Sequence, residues 1–205
     1  MEIRKAKKND IGAIAEMIYS SGPDIYDFIY KTNSKTALDY INYEFKSGRG
    51  FAGYDNVTVA VKDGEVIATG CFYDGKVYNK LAVGTTLNMI LFYGFMHFNA
   101  VLKRSLHAIS VMKKPHKNEL YLSNFGVHEK CRSQGVGSAV LQKKVGEAKA
   151  ANYKKFILDV SVNNPKAEAL YKRMGMNIIK EKKFTGKREG YPCSDARQME
   201  LVLND

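Results

Sequence analysis

A strand that leads through a glycine-containing turn into a helix, within residues 120–151, constrains the fold of this chain most strongly. Residues 120–127 are apolar and bounded by polar residues, a pattern that predicts a β-strand. The turn contains Gly135 and Gly137, and a helical run follows over residues 139–151. Glycines that open a helix leave its first amide groups accessible, and phosphate binds such amides at the positive end of the helix dipole. The segment therefore predicts a strand–turn–helix unit with a phosphate-binding turn.

The apolar alternation along the predicted strand changes phase. Leu120 and Leu122 occupy even positions, whereas Phe125 and Val127 occupy odd positions. Because side chains on a strand alternate with a period of two, this change predicts a β-bulge that begins near Ser123. A bulge leaves backbone N–H groups without partners in the sheet, and these groups are free to bind a ligand.

The turn excludes two common phosphate-binding loops. It has no Gly-Lys-Ser or Gly-Lys-Thr sequence, which a nucleotide P-loop requires, and residues 135–140 lack the third glycine of a dinucleotide-binding turn. Taken alone, the two glycines also fit an ordinary strand-to-helix turn. The pattern that remains is Arg132, Gly135 and Gly137 shortly after a strand. It resembles the acyl-CoA-binding signature of the GNAT superfamily of N-acetyltransferases.

A second pattern follows about 30 residues downstream. Asn164 and Pro165 open a predicted helix, Tyr171 lies on its second turn, and Gly175 ends it. This resembles the GNAT sequence in which an asparagine opens the helix after the fifth strand and a tyrosine follows. With both patterns in this order, the chain is identified by resemblance as a member of the GNAT superfamily. Met176 departs from the family pattern, in which an aromatic residue often follows the glycine.

The resemblance covers most of the chain and implies one α/β domain over residues 1–205, with a mixed, splayed central sheet flanked by helices. The elements predicted from the sequence agree with this fold. Strands are predicted at residues 3–6, 57–62, 65–73, 120–127, 156–162, 176–184 and 196–203. Helices are predicted at residues 10–19, 24–30, 34–45, 139–151 and 164–174.

Residues 85–112 form a predicted helical insertion that the family does not require. Apolar residues recur there at helical spacing. A second apolar face comprises Met89, Phe92, Tyr93 and Met96. The densest part, residues 87–102, is shorter than the roughly 20 apolar residues of a membrane span, so no membrane association is expected. The helix is expected either to pack against a second copy of the chain, as a homodimer, or to roof the acceptor pocket.

Composition and charge restrict the classes of function. The formal net charge of +11 would attract a polyanion such as coenzyme A, an acidic partner or RNA. The basic residues form no stripe interleaved with aromatic residues, so nucleic-acid binding is the less favoured interpretation. Cys71, Cys131 and Cys193 are odd in number and widely spaced, which favours a reducing, cytoplasmic compartment without disulfides or a metal centre. No apolar segment follows the charged start, so no signal peptide is expected.

The resemblance implies acetyl-CoA as the acyl donor and assigns contacts to it. Backbone groups of Val127 and Glu129, on either side of His128, would hold the pantetheine arm. The amides that would bind the pyrophosphate belong to Arg132, Ser133, Gln134, Gly135, Val136, Gly137 and Ser138. The Asn164 side chain would bond to the pantetheine, and the Tyr171 hydroxyl would point at the thioester sulfur.

Acyl transfer to an amine requires two proton transfers. A departing thiolate is stabilised by a proton donor, for which the resemblance makes Tyr171 the candidate. On sequence alone, a tyrosine on an apolar helical stripe is more often a packing residue. The amine must be neutral when it attacks, and Glu119, at the start of the central strand, is the first candidate for a general base. Asp159 is the second, because the polar face of its strand should border a cleft.

The predicted function is transfer of an acetyl group from acetyl-CoA to a primary amine of a small molecule or a peptide. A direct reaction in a ternary complex is expected, because no cysteine is placed beside the thioester carbon. Asp24, Tyr26 and Asp27 lie in the segment that walls the acceptor pocket in this family, and a solvated helix face also explains them. Two alternatives remain: a non-catalytic acyl-CoA sensor and a basic module that binds RNA or the ribosome.

Overall fold

The computed structural model describes residues 1–203, which form a mixed sheet of seven strands flanked by six α-helices. The strands are β1 (Glu2–Lys5), β2 (Val57–Lys62), β3 (Glu65–Tyr73), β4 (Glu119–Val127), β5 (Lys155–Ser161), β6 (Asn177–Lys182) and β7 (Ala196–Val202). The helices are α1 (Ile11–Ser20), α2 (Pro23–Tyr30), α3 (Ala37–Ser47), α4 (Tyr78–Ala108), α5 (Val136–Ala150) and α6 (Pro165–Arg173). The fold class predicted from the sequence is confirmed.

The sheet has the strand order β1-β2-β3-β4-β5-β7-β6. Among the described strands, β4 and β5 form the one parallel pair, and the other neighbours are antiparallel. A parallel pair requires a crossover connection, which α5 supplies between the two strands. The strand–turn–helix unit of the sequence therefore lies at the centre of the sheet.

The two central strands separate halfway along their length. Their pairing runs from Glu119 opposite Lys155 to Leu122 opposite Leu158, and then stops. Both strands continue beyond this point, so the sheet opens into a wedge between their carboxyl-terminal halves. Backbone groups along the wedge are left without a partner from the opposite strand, as the predicted splay requires.

The predicted bulge lies in β4, on its border with β3. Thr69 pairs with Gly126 and Cys71 pairs with Ser123, so two residues of β4 lie opposite one residue of β3. Asn124, within the bulge, has a φ of 55°, in the left-handed region that asparagine adopts more readily than most residues. The change of phase in the apolar pattern is therefore confirmed as a β-bulge.

Helices cover both faces of the sheet. The even-numbered apolar residues of β4 and β5 pack against α5 and α6 in a cluster that includes Leu122, Leu158 and Leu141. On the opposite face, α1 and α3 cover β2 and β3 around Ile14, Phe45 and other buried residues. The period of two in the strands thus decides which helix each side chain contacts.

Helix α4 begins at Tyr78, earlier than the predicted start at residue 85. The side chain of Asp74 accepts hydrogen bonds from the backbone N–H groups of Lys76 and Val77, just before the helix begins. Gly84 would be expected to weaken a helix at this point. It lies there because a Cβ atom would come within 2.6 Å of the backbone nitrogen of Gly50. The close approach of two backbones therefore explains the glycine.

Helix α4 is kinked at Gly94, where φ is 65° and ψ is 178°. Met89 and Tyr93 before the kink, and Val101 after it, are buried in a cluster with residues of α2 and α3. The second apolar face predicted from the sequence is therefore divided, because Met96 is 88% exposed.

The segment Tyr78–Val111, which comprises α4 and the turn after it, is long and apolar enough by length and composition to cross a membrane. It is longer than the apolar stretch recognised in the sequence. One side packs on α2 and α3, and its buried Asn88 donates a hydrogen bond to the carbonyl of Arg49. These contacts are those of a helix that belongs to the domain.

Candidate active site

A cavity of about 550 Å³ begins where β4 and β5 diverge and continues beneath α4. Its walls include the bulge of β4, the polar face of β5 and the start of α6. Helix α2 and the segment before β7 close the other sides, and α4 contributes Thr85, Met89 and Ser105. The insertion therefore roofs the cavity, which is one of the two arrangements expected from the sequence.

Tyr171 and Asn164 reach the cavity from α6. Tyr171 is 7% exposed, and burial raises the pKa of its hydroxyl well above the ordinary value, so the hydroxyl keeps its proton at neutral pH. The side-chain oxygen of Asn164 accepts a hydrogen bond of 3.1 Å from the backbone N–H of Ala167 and caps α6. A bond from Asn164 to a ligand would therefore come from its NH₂ group.

The turn before α5 presents its backbone to solvent. Gly135 has a φ of 78° and Ser133 a φ of 60°, so two residues immediately before the helix have left-handed backbone conformations. The backbone N–H of Ala139 bonds to the carbonyl of Gly135, which leaves the three preceding amides of the first turn for a ligand. Within residues 1–203, no atom beyond the adjacent backbone lies within 4 Å of the position of a Cβ at Gly135. The geometry suits an anion at this helix terminus.

The strand end before this turn is partly occupied by the chain itself. The guanidinium Nε of Arg132 donates to the carbonyl of Val127 over 3.0 Å, and the backbone N–H of His128 donates to the carbonyl of Ile67. A ligand bond to the Val127 carbonyl would therefore share that acceptor with Arg132. Glu129 begins a short 3₁₀ turn and is exposed.

Glu119, the first candidate for a general base, lies outside the lining of the cavity. Its carboxylate accepts bonds of 2.8 Å from the Lys113 side chain and from the backbone N–H of His116. Burial alone would raise the pKa of Glu119, but these two bonds outweigh it and lower the pKa. The contacts favour a structural role, and catalysis by Glu119 stays a prediction.

Asp159, the second candidate, lines the cavity as the polar face of β5 predicts. One carboxylate oxygen accepts bonds from the backbone N–H of Lys113 and the hydroxyl of Tyr121, at 2.7 and 3.0 Å. The other lies 2.9 Å from the ammonium of Lys182. Asp159 therefore has partners within the chain, and catalysis by Asp159 stays a prediction.

Asp24 and Tyr26 line the cavity, whereas the carboxylate of Asp27 lies 3.7 Å from the ammonium of Lys31. The hydroxyl of Tyr26 donates to the side-chain oxygen of Asn124 and so connects α2 to the bulge. Two of the three residues proposed for the acceptor side are therefore in place.

Glu44 of α3 also lines the cavity, and sequence reasoning missed it. Its residue is 3% exposed, and its carboxylate accepts a short hydrogen bond from the hydroxyl of Thr85. Burial raises the pKa of Glu44 to about 7. The available signal was an acidic residue on the apolar stripe of a helix, between Tyr40, Ile41 and Phe45.

The splayed strands and the bulge line the large cavity. The open helix terminus lies outside that lining, and Gly135 and Val136 line a separate, smaller pocket. A strand splay beside an open helix terminus is the arrangement of an acyl-CoA-dependent transferase fold. A model of the acetyltransferase (GNAT) family matches residues 22–176. The chain belongs to this family. No curated protein sequence matches the chain closely enough to count as a relative.

Solved structures share the fold at low sequence identity. An N-acetyltransferase from Staphylococcus aureus Mu50 is 18% identical with a TM-score of 0.69, over 98% of this chain and 100% of that one. The yncA protein of Salmonella typhimurium, solved with its cofactor acetyl-CoA, is 18% identical with a TM-score of 0.57, over 100% of this chain and 95% of that one. The ribosomal-protein-S18-alanine N-acetyltransferase of Escherichia coli is 16% identical with a TM-score of 0.55, over 100% of this chain and 94% of that one.

Proposed function

We propose that this protein transfers an acetyl group from acetyl-CoA to a primary amine in a direct, ternary-complex reaction. The observation that carries the proposal is the single cavity that joins the wedge beside Tyr171 and Asn164 to the chamber beneath α4. A donor in the wedge and an acceptor in the chamber would meet at one place. Cytoplasmic location, expected from the cysteines, is part of the same proposal.

The residues present fit an acyl-CoA donor. The unpaired halves of β4 and β5 offer backbone hydrogen-bonding groups to an extended, amide-containing arm. The first amides of α5 offer donors to a pyrophosphate, next to the open position at Gly135. Acetyl-CoA supplies the acyl carbon and the thiolate leaving group.

In the proposed reaction, Tyr171 holds the proton that the leaving sulfur needs. The bond between the amine nitrogen and the acyl carbon forms, the carbon–sulfur bond breaks, and the thiolate takes the proton of the Tyr171 hydroxyl. The proton lost by the amine passes to a base or to water, and the Tyr171 phenolate takes up a proton from water, which restores the hydroxyl. Amides freed by the bulge stabilise the negative charge that develops on the acyl oxygen.

The cysteine that lines the cavity supports the direct route. Cys193 lies beside the backbone carbonyl of Asp24, and burial, reinforced by the Asp24 carboxylate, raises its pKa to about 11. Cysteine reacts as the thiolate, so a thiol with this pKa is a weak nucleophile at neutral pH. A covalent acyl-cysteine intermediate is therefore not part of the proposal.

The test is a panel of amines and peptides with acetyl-CoA, in which free thiol is measured as it forms and products are identified by mass. The proposal expects release of coenzyme A that depends on one class of amine, with an acetylated product. Tight binding of acetyl-CoA without turnover across the whole panel would support the sensor instead. A protein that shows no binding of acetyl-CoA and no turnover would contradict both the transferase and the sensor.

We also propose a homodimer through the outer face of α4. This face carries exposed apolar side chains, namely Val83, Leu87, Leu91, Phe95 and Met96. Phe95 and Met96 are 90% and 88% exposed, and large apolar side chains exposed together on one helix mark an interaction site. A twofold-symmetric pair would cover the same patch on both copies.

A further inference from the structure

The charges that line the cavity have the opposite sign to the charge of the whole chain. The net formal charge of the protein is +11. The charged side chains of the lining are Asp24, Glu44, Asp159, Asp195 and Lys113, which give four carboxylates against one ammonium. That ammonium is itself bonded to Glu119. A cavity with this lining attracts a cation from solution.

The four carboxylates differ in their partners. Asp159 forms an ion pair with Lys182, Asp195 accepts a hydrogen bond from the backbone N–H of Phe184, and Asp24 is exposed to solvent. Glu44 is 3% exposed, and within residues 1–203 no lysine, arginine or histidine forms an ion pair with it. Hydrogen bonds from Thr85, Asn88 and the backbone of Phe51 and Ala52 offset part of the cost of burying this carboxylate. They carry no positive charge, so the charge of Glu44 is available to a cation that enters the cavity.

The Glu44 carboxylate is fixed in position by contacts from two segments. The hydroxyl of Thr85, on α4, donates to it. The backbone of Gly50 lies so close that a Cβ there would overlap the carboxylate oxygen, at 1.9 Å. The Thr85 hydroxyl in turn accepts a bond of 3.1 Å from the backbone N–H of Phe51. The carboxylate can therefore bind a ligand without first becoming ordered, which lowers the cost of binding.

Aromatic rings line the same cavity. They belong to Tyr26, Tyr30, Phe51, Tyr73, Tyr78, Tyr121, Phe125 and Tyr171. Faces of aromatic rings attract organic cations, and their carbon atoms bury the apolar part of a ligand. The combination of rings and one unpaired carboxylate suits a ligand with a single positive charge on an apolar or aromatic body.

We propose that the acceptor is an organic monocation of this kind, an ammonium group on an apolar or aromatic body, and that Glu44 is the residue that selects it. This inference rests on the proposed acetyl transfer and adds the class of acceptor. Each further ammonium of a polyamine would need a carboxylate of its own, and Asp159 is already paired with Lys182. Glu44 acts here as a specificity residue, and no covalent step is assigned to it.

The experiment measures binding without acetyl-CoA, by calorimetry at pH 8. The two probes are 3-phenylpropylamine, which is cationic at this pH, and 3-phenylpropan-1-ol, its neutral analogue of the same length. The proteins are the wild type, Glu44→Gln, and Glu65→Gln as a control at an exposed carboxylate of β3. Wild type and control are expected to bind the amine at least about tenfold more tightly than the alcohol, as for a hydrogen bond to a buried charge. Glu44→Gln is expected to lose this preference and to keep its affinity for the alcohol.

Two results would overturn the inference. One is a wild type that binds the two probes equally, and this result stands even where Glu44→Gln does not fold. The other is a folded Glu44→Gln protein that keeps the preference for the amine, which would make Glu44 a purely structural clamp on Thr85. A separate titration with acetyl-CoA tests the donor site. If acetyl-CoA does not bind but the wild type still prefers the amine, the proposed transferase is rejected and the cation site is not.

Discussion

The chemistry proposed for this protein depends on two buried side chains that titrate far from their ordinary ranges. Burial raises the pKa of Tyr171, which makes its hydroxyl a weaker acid than that of an exposed tyrosine, and Glu44 holds its proton up to about pH 7 for the same physical reason. Tyr171 is therefore neutral at pH 7, as any tyrosine is, and Glu44 carries a partial charge there. The property of Glu44 is not visible in the residue type alone.

Replacing Tyr171 by phenylalanine separates catalysis from packing. The ring stays in the cluster with Leu122 and Leu158, so the melting temperature should change little. The proton donor is lost, and the rate of acetyl transfer should fall by about 10²- to 10⁴-fold with little change in acetyl-CoA affinity. Single-turnover kinetics and calorimetry measure the two quantities. A variant that reacts at the wild-type rate would make Tyr171 a packing residue.

Glu44 should make the stability of the protein depend on pH. Its pKa is raised from 4.5 to about 7 in the folded state, so its contribution is complete below about pH 4.5 and is lost as the pH rises through 7. The groups whose charges couple to Glu44 are Tyr26, Tyr30, Tyr40 and Cys71, all of which remain neutral in this range because burial raises their pKa values.

The measurement is urea unfolding of the wild type and Glu44→Gln at several pH values. As the pH rises from 4.5 to 8, the wild type should lose up to about 3 kcal/mol of unfolding free energy relative to Glu44→Gln. A difference that is constant over this range would show that Glu44 titrates normally.

Among the helices, α4 is the element whose geometry departs furthest from the regular form. The φ and ψ angles of Gly94 lie in a region that is essentially restricted to glycine. The kink lets both halves of the helix contact α2 and α3, because Met89 lies before it and Val101 after it in one buried cluster. The roof of the cavity thus depends on a single backbone position.

Gly94→Ala should destabilise the protein by about 1–3 kcal/mol, as is typical of strained backbone angles. In the described part of the chain, no atom beyond the adjacent backbone lies within 4 Å of the added methyl group, so the loss would come from the backbone angles and not from overlap. Gly146→Ala, in regular helical backbone of α5 with equally open surroundings, is the matched control. It should stabilise by about 0.5–1 kcal/mol. Chemical denaturation of both variants decides the sign, and a neutral or stabilising Gly94→Ala would show that the kink is not required.

For the molecule as a whole, the sequence was sufficient for most of the fold. The alternation in β4 gave both the strand and its bulge, because a phase change has few other structural solutions. The hairpin of β2 and β3 was predicted with the bounds observed, since Asp63 and Gly64 specify its turn. The start of α4 was missed because the need for Gly84 arises from its contact with Gly50, which is distant in the sequence.

The site was predictable only where a local motif carries it. The turn before α5 and the pair Asn164 and Tyr171 follow from short patterns, and both segments have the predicted local structure. Glu44 becomes a cavity residue because Thr85, about 40 residues later, covers it. Glu119 drew attention by its place on the central strand, yet its partner Lys113 comes from the preceding loop. The pairing of Glu44 with Thr85 is long-range and is not encoded in any one segment, whereas that of Glu119 with Lys113 is local and depends on the conformation of the loop.

The outer face of α4 gives a prediction about assembly. Leu91 and Phe95 are 60% and 90% exposed, and burying apolar surface stabilises association by about 25 cal/mol per Å². Light scattering should find a dimer for the wild type and a monomer for Leu91→Glu with Phe95→Glu. Lys103→Glu, an exposed change on the same helix, should leave the dimer intact. A monomeric wild type at tens of micromolar would contradict the proposed dimer.

The binding of acetyl-CoA at the start of α5 decides whether the donor site is assigned correctly, and calorimetric titration measures it. Gly135→Asp places a carboxylate at an open position with a φ of 78°, where the pyrophosphate is proposed to bind. Gly190→Asp adds the same side chain at a φ of 74° in equally open surroundings of the loop before β7, and so matches the backbone strain. We expect wild type and Gly190→Asp to bind acetyl-CoA alike and Gly135→Asp to lose binding while it remains folded. Equal affinity in all three proteins would contradict the proposed donor site.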